Sequence, residues 1–325
     1  MDTDFSIIIL IIATIIDYLI SDPSKYLHPV QVMGWLIFKA SNLIFKFCNG
    51  KFVCRCAGSI LCLLLVLASG FFGWTVSLIK YHFFPLIGIT IESILLASCF
   101  AGRSLRLAAI DVIIPLNTNK IDLARIKLSQ YVGRDTRNLS KKDIWRTMLE
   151  TISENSIDGV IAPLFYAIIG ALLPYTSSLT LALAYKASST LDSTIGYKKE
   201  PFTDIGWFSA NLEDILTWIP CRLGVLTLAI LSGRPYYVLS ICNRDGDKDL
   251  SPNSGWSESI YAAILGVQLG GKNIYDGTIK KKPLLGEPIK SITFTTIEKA
   301  LVLTRVCSLL WLGLGIILIY IKNTR

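Results

Sequence analysis

The stretch RTMLETISENSIDGVIAPLFYAIIGALLPYTSSLTLALAYKASSTLDSTIGYK, residues 146–198, opens with Arg146, Glu150, Glu154 and Asp158. Each is four residues from the next, so on a helix the four lie along one face. The chain then runs through an apolar segment broken by Pro163, Gly170 and Pro174, and leaves it through Lys186, Ser188, Ser189, Thr190, Asp192, Ser193, Thr194 and Lys198. Acidic and hydroxyl groups thus flank a segment fit for a bilayer, where ionisable side chains are costly and mark function. The competing reading is a solvated helix face, the usual meaning of a charge row at this spacing. Two details count against it. The three carboxylates have only Arg146 as a cation in line, so they repel unless something positive binds them. Asp158-Gly159 also abuts the apolar run, where a solubilising charge gains little. A Mg²⁺ ion, or a phosphorylated substrate carried with it, would relieve the repulsion.

The rest of the chain agrees with a membrane setting. Of 325 residues, 52% are hydrophobic and only 17% charged, and the mean hydropathy is +0.53. That composition describes an integral membrane protein. The net charge of +8 fits cytoplasmic loops rich in Lys and Arg. It does not indicate nucleic acid, because no basic cluster is interleaved with aromatics. The eight cysteines are scattered, and Cys54-x-Cys56 has no second pair at metal spacing. With only two histidines, no Ser-His-Asp set can be argued.

Phe5 to Leu19 reads as a first membrane helix, since no basic region precedes it and no small-residue cleavage site follows. Asp22-Pro23 and His28-Pro29 then punctuate a constrained loop. Ala57 to Ile79, Phe84 to Ala101 and Leu301 to Ile321 are spans, and Glu92 sits in the middle of the second of these as either a site residue or a partner for another helix. Between them lie a first cytoplasmic loop (102–158), a motif loop (185–214) and a second cytoplasmic loop (233–299). Within the first loop, Ser140 is placed to cap a helix with Asp143 three residues on.

If the carboxylate row and the motif loop serve one site, both belong on one face, and Val160 to Ala184 must enter the membrane and return. Ile215 to Leu231, short and holding Pro220 and Arg222, is read the same way. The expected fold is all-α: one polytopic membrane domain over 1–325, with about four full spans, re-entrant or interfacial segments and helical cytoplasmic loops. Gly266-x4-Gly271-Lys272 imitates a phosphate-binding loop, but Asn273 replaces the Ser or Thr and the preceding YAAIL reads as helix. Gly270-Gly271 is expected to end that helix.

Seven blocks now carry a resemblance: DYLISDPSKYLHPVQVMG (17–34), AGRSLR (101–106), VGRDT (132–136), ETISENSIDGVIAPLF (150–165), AYKASSTLDSTIGYK (184–198), SPNSGWSES (251–259) and LGVQLGGKNIYDG (265–277). In order and content the sequence resembles the adenosylcobinamide-phosphate synthases, the CobD/CbiB membrane proteins of cobalamin biosynthesis, over nearly its whole length. Ser21 stands where that family usually has Gly, and Ser257 where Pro is common; neither change removes a charged group.

The resemblance implies an amide-forming step. The ring D propionate carboxylate of (adenosyl)cobyric acid is joined to aminopropanol or its O-phosphate, giving cobinamide or its phosphate. Amide formation from a free acid is uphill in water, so ATP and Mg²⁺ are the implied cofactors. The implied partners are the corrinoid, the amino alcohol, the lipid bilayer and other corrinoid-pathway enzymes, with the active site facing the cytoplasm at the cell membrane. Beside this, Glu150, Glu154, Asp158 and Asp192 are expected to deprotonate the amine, with Glu154, Asp158 and Asp192 able to ligate Mg²⁺. Arg103, Arg134, Lys186 and Lys198 are expected to hold phosphates or the corrin carboxamide rim. Asp22 and His28 shape the cavity, and Asn155, Ser188, Asn253 and Trp256 orient the corrin edge. A corrinoid or amino-alcohol transporter and a non-catalytic scaffold for pathway enzymes remain as alternatives.

Overall fold

The computed structural model describes residues 2–20, 28–48, 50–82, 84–197, 199–275 and 277–324. In chain order the helices are α1 (Asp2–Leu19), α2 (Pro29–Phe47), α3 (Lys51–His82), α4 (Pro85–Ala97), α5 (Gly102–Asn117), α6 (Ile121–Leu128) and α7 (Lys141–Ser156). A π-helical turn, Ile157–Ile161, leads into α8 (Ala162–Leu172), and α9 (Ser178–Ile195), α10 (Phe202–Ile205), α11 (Trp207–Leu231), α12 (Pro235–Asp245) and α13 (Ser254–Leu265) follow. The strands β1 (Gln268–Tyr275) and β2 (Thr278–Gly286) precede the last helix, α14 (Phe294–Thr324). The protein is an all-α polytopic membrane protein with one small antiparallel hairpin.

Among the described residues, five helical stretches are by length and composition apolar enough to cross a membrane: Lys51–His82, Pro85–Asn117, Lys141–Leu172, Trp207–Leu231 and Phe294–Lys322. About four full spans were expected. Phe5–Leu19 is a shorter apolar helix, and Ile215 to Leu231 belongs to one unbroken helix of 25 residues, not a re-entrant segment. Pro220 does not break α11, although it has no N–H to give Leu216. The orphaned Leu216 carbonyl instead accepts the Tyr166 hydroxyl at 2.8 Å, which satisfies the group that proline strands.

The chain forms two compact units. The first comprises 1–101, 162–217 and 310–325; the second comprises 102–161 and 218–309. In the first, α9 is the central helix, packed by α2, α3, α4 and α8. Its apolar face contributes Leu179, Ala182, Leu183, Ala187 and Leu191 to the core. The chain turns back between α8 and α9, and Gly170 makes the turn possible: a Cβ there would run into the Ser177 backbone carbonyl. Gly170→Ala should therefore lower thermal stability by about 1–3 kcal/mol through overpacking, whereas Gly313→Ala, which meets nothing within 4 Å, should not. Equal melting temperatures for the two purified variants would contradict this packing. Glu92 resolves as a helix–helix partner, since Lys80 on α3 donates to it at 2.7 Å with both side chains buried.

In the second unit α7 packs against α5, α6, α13 and β1. Its start is as expected: the Ser140 hydroxyl accepts the Asp143 N–H. The π-turn shifts the phase of the helix at Ile157–Ile161, so Asp158 leaves the regular four-residue row; such turns recur at functional sites. Helix α13 ends at Gly266, whose φ of +67° only glycine adopts readily. Gly270-Gly271 therefore does not end that helix, contrary to the sequence expectation, but lies in β1 at a bulge between Leu269 and Gly271. A strand follows a helix here, the reverse of a phosphate-binding loop.

Candidate active site

The second unit gathers four of the sequence blocks on one buried charge cluster. Glu150, on α7, is 1% exposed. Its Oε2 accepts from Arg134 at 2.6 Å, and its Oε1 accepts the Gly270 backbone N–H at 2.9 Å and Arg146 at 3.4 Å. Arg146 also donates to the Gly270 and Lys272 carbonyls and to the Asn273 side chain. Arg134 reaches the same Asn273 Oδ1 at 2.9 Å. Two arginines and one carboxylate thereby fasten the hairpin to α7. Burial works against the Arg134 charge, but the Glu150 carboxylate beside it holds its pKa above the usual value. The carboxylate row is thus neutralised at Glu150 by guanidinium groups of the protein itself.

Glu154 is half-buried and accepts the Ser254 hydroxyl at 3.3 Å. Nearby, Glu258 is fully buried, and its Oε1 accepts from Lys282 of β2 at 3.0 Å; Lys282 also lies 3.6 Å from Asp249. Burial pushes the Glu258 carboxyl up; Lys282 pulls it back, and the negative charges of Glu150 and Glu154 push it further up. Burial disfavours the Lys282 ammonium, yet Glu258, Glu154, Asp249 and Glu150 together hold it above its ordinary value. Among the described residues of this unit, buried polar atoms without a hydrogen-bond partner include Glu258 Oε2, Ser259 Oγ and Asn273 Nδ2. Buried polar groups are almost always satisfied, so these are places where a polar ligand would gain most.

Around the cluster, Trp256 is held on three sides. Its Nε1 donates to Asp247 at 2.7 Å, the Arg222 guanidinium lies 4.3 Å from its ring, and Gly246 fits beneath it. Asn253 is buried, whereas Asn155 is exposed and turns back to the Thr151 carbonyl. Asp158 and Arg103 are half-buried in the same unit.

The first unit holds the other expected residues. Lys186, Ser188 and Asp192 lie on α9, and His28 stands at the N-cap of α2, which packs on α9. Ser188 is fully buried; Lys186 and Asp192 are half-buried. Buried Glu213 accepts from Thr217 and, at 3.4 Å, from Tyr185, and it feels the charges of Asp192 and Asp214. Asp22 and Lys198 lie outside the described residues.

Sequence reasoning missed Glu258, Lys282, Asn273 and Arg222. Glu258 was legible only as a charge inside an apolar helix, and Lys282 as one of three consecutive lysines.

Among the described residues, no group of three or more His, Cys, Asp or Glu is placed to hold a metal ion. Glu150 and Glu258 already face Arg134, Arg146 and Lys282. Of the expected Mg²⁺ ligands, Glu154 and Asp158 belong to the second unit and Asp192 to the first. The described residues of neither unit form a dedicated cage, so they do not fit a Mg²⁺ ion held by the protein alone.

The comparisons with known proteins extend over nearly the whole chain. The family described as CobD/Cbib protein matches residues 10–304. The cobalamin biosynthesis protein CobD of Synechocystis sp. is 50% identical over 315 residues, covering 96% of this chain and 92% of its own. The cobalamin biosynthesis protein CbiB of Salmonella typhi is 38% identical over 309 residues, covering 94% and 95%. CobD of Citrobacter koseri is 37% identical over the same length. No solved structure matches. A family match across this much of the sequence, with two relatives so similar end to end, is decisive: the chain belongs to the CobD/CbiB family of cobalamin biosynthesis proteins.

Proposed function

We propose that the protein joins the ring D propionate carboxylate of (adenosyl)cobyric acid to aminopropanol or its O-phosphate through an amide bond. The observation that carries this reading is the second unit's cluster, where VGRDT, ETISENSIDG, SPNSGWSES and LGGKN meet around buried carboxylates, fixed cations and the unsatisfied Glu258 Oε2, Ser259 Oγ and Asn273 Nδ2. In the proposed reaction a carboxylate oxygen of the corrinoid takes the terminal phosphoryl group of ATP, releasing ADP. The amine attacks the acyl carbon, and phosphate leaves with the electron pair of the broken C–O bond. Mg²⁺ would travel on the nucleotide, a mode that needs only one or two protein carboxylates.

Glu154 is the residue assigned to take the amine proton. It is half-exposed and faces a hydroxyl, while Glu150 has both oxygens occupied by cations and a backbone amide. Asp158, in the same unit, is proposed to support that step; Asp192, in the first unit, keeps the carboxylate role that the resemblance implies. In the second unit Arg103 is proposed to hold phosphate or the corrin rim and Trp256 and Asn253 to orient the corrin edge. Lys186 and Lys198 keep the phosphate or rim role that the resemblance implies, and a cytoplasmic site is the reading that loops rich in Lys and Arg favour.

The test is a purified-protein assay with cobyric acid, aminopropanol phosphate, ATP and Mg²⁺. The acid should be consumed with formation of ADP and phosphate; no consumption would sink the ligase reading and leave a transporter or scaffold. Glu154→Gln should lower turnover by about 10²–10⁴-fold, the usual worth of a general base, with unchanged melting. Asp158→Asn and Asp192→Asn should abolish amide formation while the protein still inserts. Wild-type turnover in all three would remove the carboxylate assignment.

A further inference from the structure

The first unit contains a cavity that the amide chemistry does not use. It holds about 530 Å³ and is bordered by the C-terminal end of α3, the turn between α8 and α9, and the ends of α1 and α14. That volume is in the range of small-ligand sites. The turn lies at the opposite end of α9 from Asp192. At 1.5 Å per residue, the Ser178 and Asp192 positions are about 20 Å apart along the axis.

The lining has a definite chemistry. Lys80 and Lys322 are its cations, and Ser77, Thr176 and Ser177 its hydroxyls. Trp74 and Tyr81 add amphipathic rings of the kind that sit at the bilayer interface. No carboxylate occurs among the described residues that line it. Lys80 is 3% exposed and fixed in place by Glu92 at 2.7 Å, and Ser177 hydrogen-bonds the same carboxylate. An ammonium has three donors, and Glu92 takes one. The surface next to the lining Trp74 is apolar: the Phe71 ring lies 5.9 Å from the Trp74 ring, and Phe71 is more than half exposed.

We propose that this cavity binds a phosphate ester, supplied by the headgroup of an anionic phospholipid. The two lysines and the hydroxyls meet the phosphate oxygens, the aromatic rings lie at headgroup depth, and the exposed Phe71 beside Trp74 receives an acyl chain. A buried ion pair is expensive to keep in a membrane protein, and here it holds one ammonium at a cavity wall.

The test uses the full-length protein, purified in detergent and stripped of lipid, with native mass spectrometry counting retained lipid. Phosphatidylglycerol, phosphatidylcholine and soluble glycerol phosphate are the three probes. Phosphatidylglycerol should be retained in preference to phosphatidylcholine. Lys322→Gln should weaken that retention about fivefold, the usual effect of one interfacial lysine. Lys80→Met with Glu92→Leu, which removes the pair together and leaves no lone buried charge, should weaken it further. Binding of glycerol phosphate with no lipid preference would assign the site to a soluble phosphate ester and overturn the lipid source. Equal retention of both lipids, or retention unaltered in the variants, would overturn the proposal itself. Amide formation by the variants should stay at the wild-type level, so the outcome does not depend on the reading of the catalytic cluster.

Discussion

Glu150→Ala should destabilise the second unit by about 3–5 kcal/mol, the usual cost of removing one partner from a buried ion pair. The carboxylate is the acceptor for Arg134, for Arg146 and for the Gly270 N–H. Its loss strands two guanidinium groups and a backbone amide in a place where water cannot replace it. Glu150→Gln keeps an acceptor oxygen for Gly270 but loses the charge, so it should fall between Glu150→Ala and the wild type. Thermal unfolding in detergent would report the loss, and limited proteolysis would show cleavage rising within 268–286 as the hairpin detaches from α7. A variant that melts with the wild type and keeps its hairpin protected would show that the clamp contributes little. Loss of amide formation in Glu150→Ala is expected too, but through misplacement of Asn273 and the hairpin, because both Glu150 oxygens are already engaged.

Much of this arrangement could be read from residue spacing alone. Ser140 with Asp143 announced the start of α7, and Pro163, Gly170 and Pro174 announced a chain that turns back. The four-residue row of Arg146, Glu150 and Glu154 also told the truth about its shared face. What it could not tell was the source of the neutralising charge. Nothing local to Glu150 points to Arg134, sixteen residues earlier on a loop, or to an amide at Gly270. At Glu150 the charge that the spacing left unaccounted for is supplied by the Arg134 and Arg146 guanidinium groups. The hairpin escaped for a different reason. Asp276-Gly277 between IY and TIK is a strong two-residue turn signal, but a helix-like YAAIL beside a phosphate-loop imitation masks it. Pro220 misled because a proline's effect depends on which group rescues the stranded carbonyl. Here that is Tyr166, far off in sequence.

The second large effect is expected at Lys282, and its size should depend on pH. Lys282 is the cation that meets the fully buried Glu258. In Lys282→Met the carboxyl keeps its burial and the nearby charges of Glu150 and Glu154, and all three favour the protonated form. A carboxyl whose folded pKa is raised binds its proton more tightly folded than unfolded. Its contribution to stability is therefore complete below the unfolded value, about 4.3 for glutamate, and is lost as pH rises through the folded value. Without the lysine that folded value climbs further. The variant should then lie close to the wild type at about pH 5.5 and fall behind it towards about pH 8.5. The deficit should approach about 3–5 kcal/mol once the buried carboxylate is forced to ionise alone. Adding Glu258→Gln to Lys282→Met removes the titrating group, so the double variant should recover most of the loss and flatten the pH dependence. Melting temperatures across that range decide the matter. A deficit that is constant with pH, or a double variant no better than Lys282→Met, would mean that Lys282 acts by packing against the hairpin and not by holding the charge of Glu258.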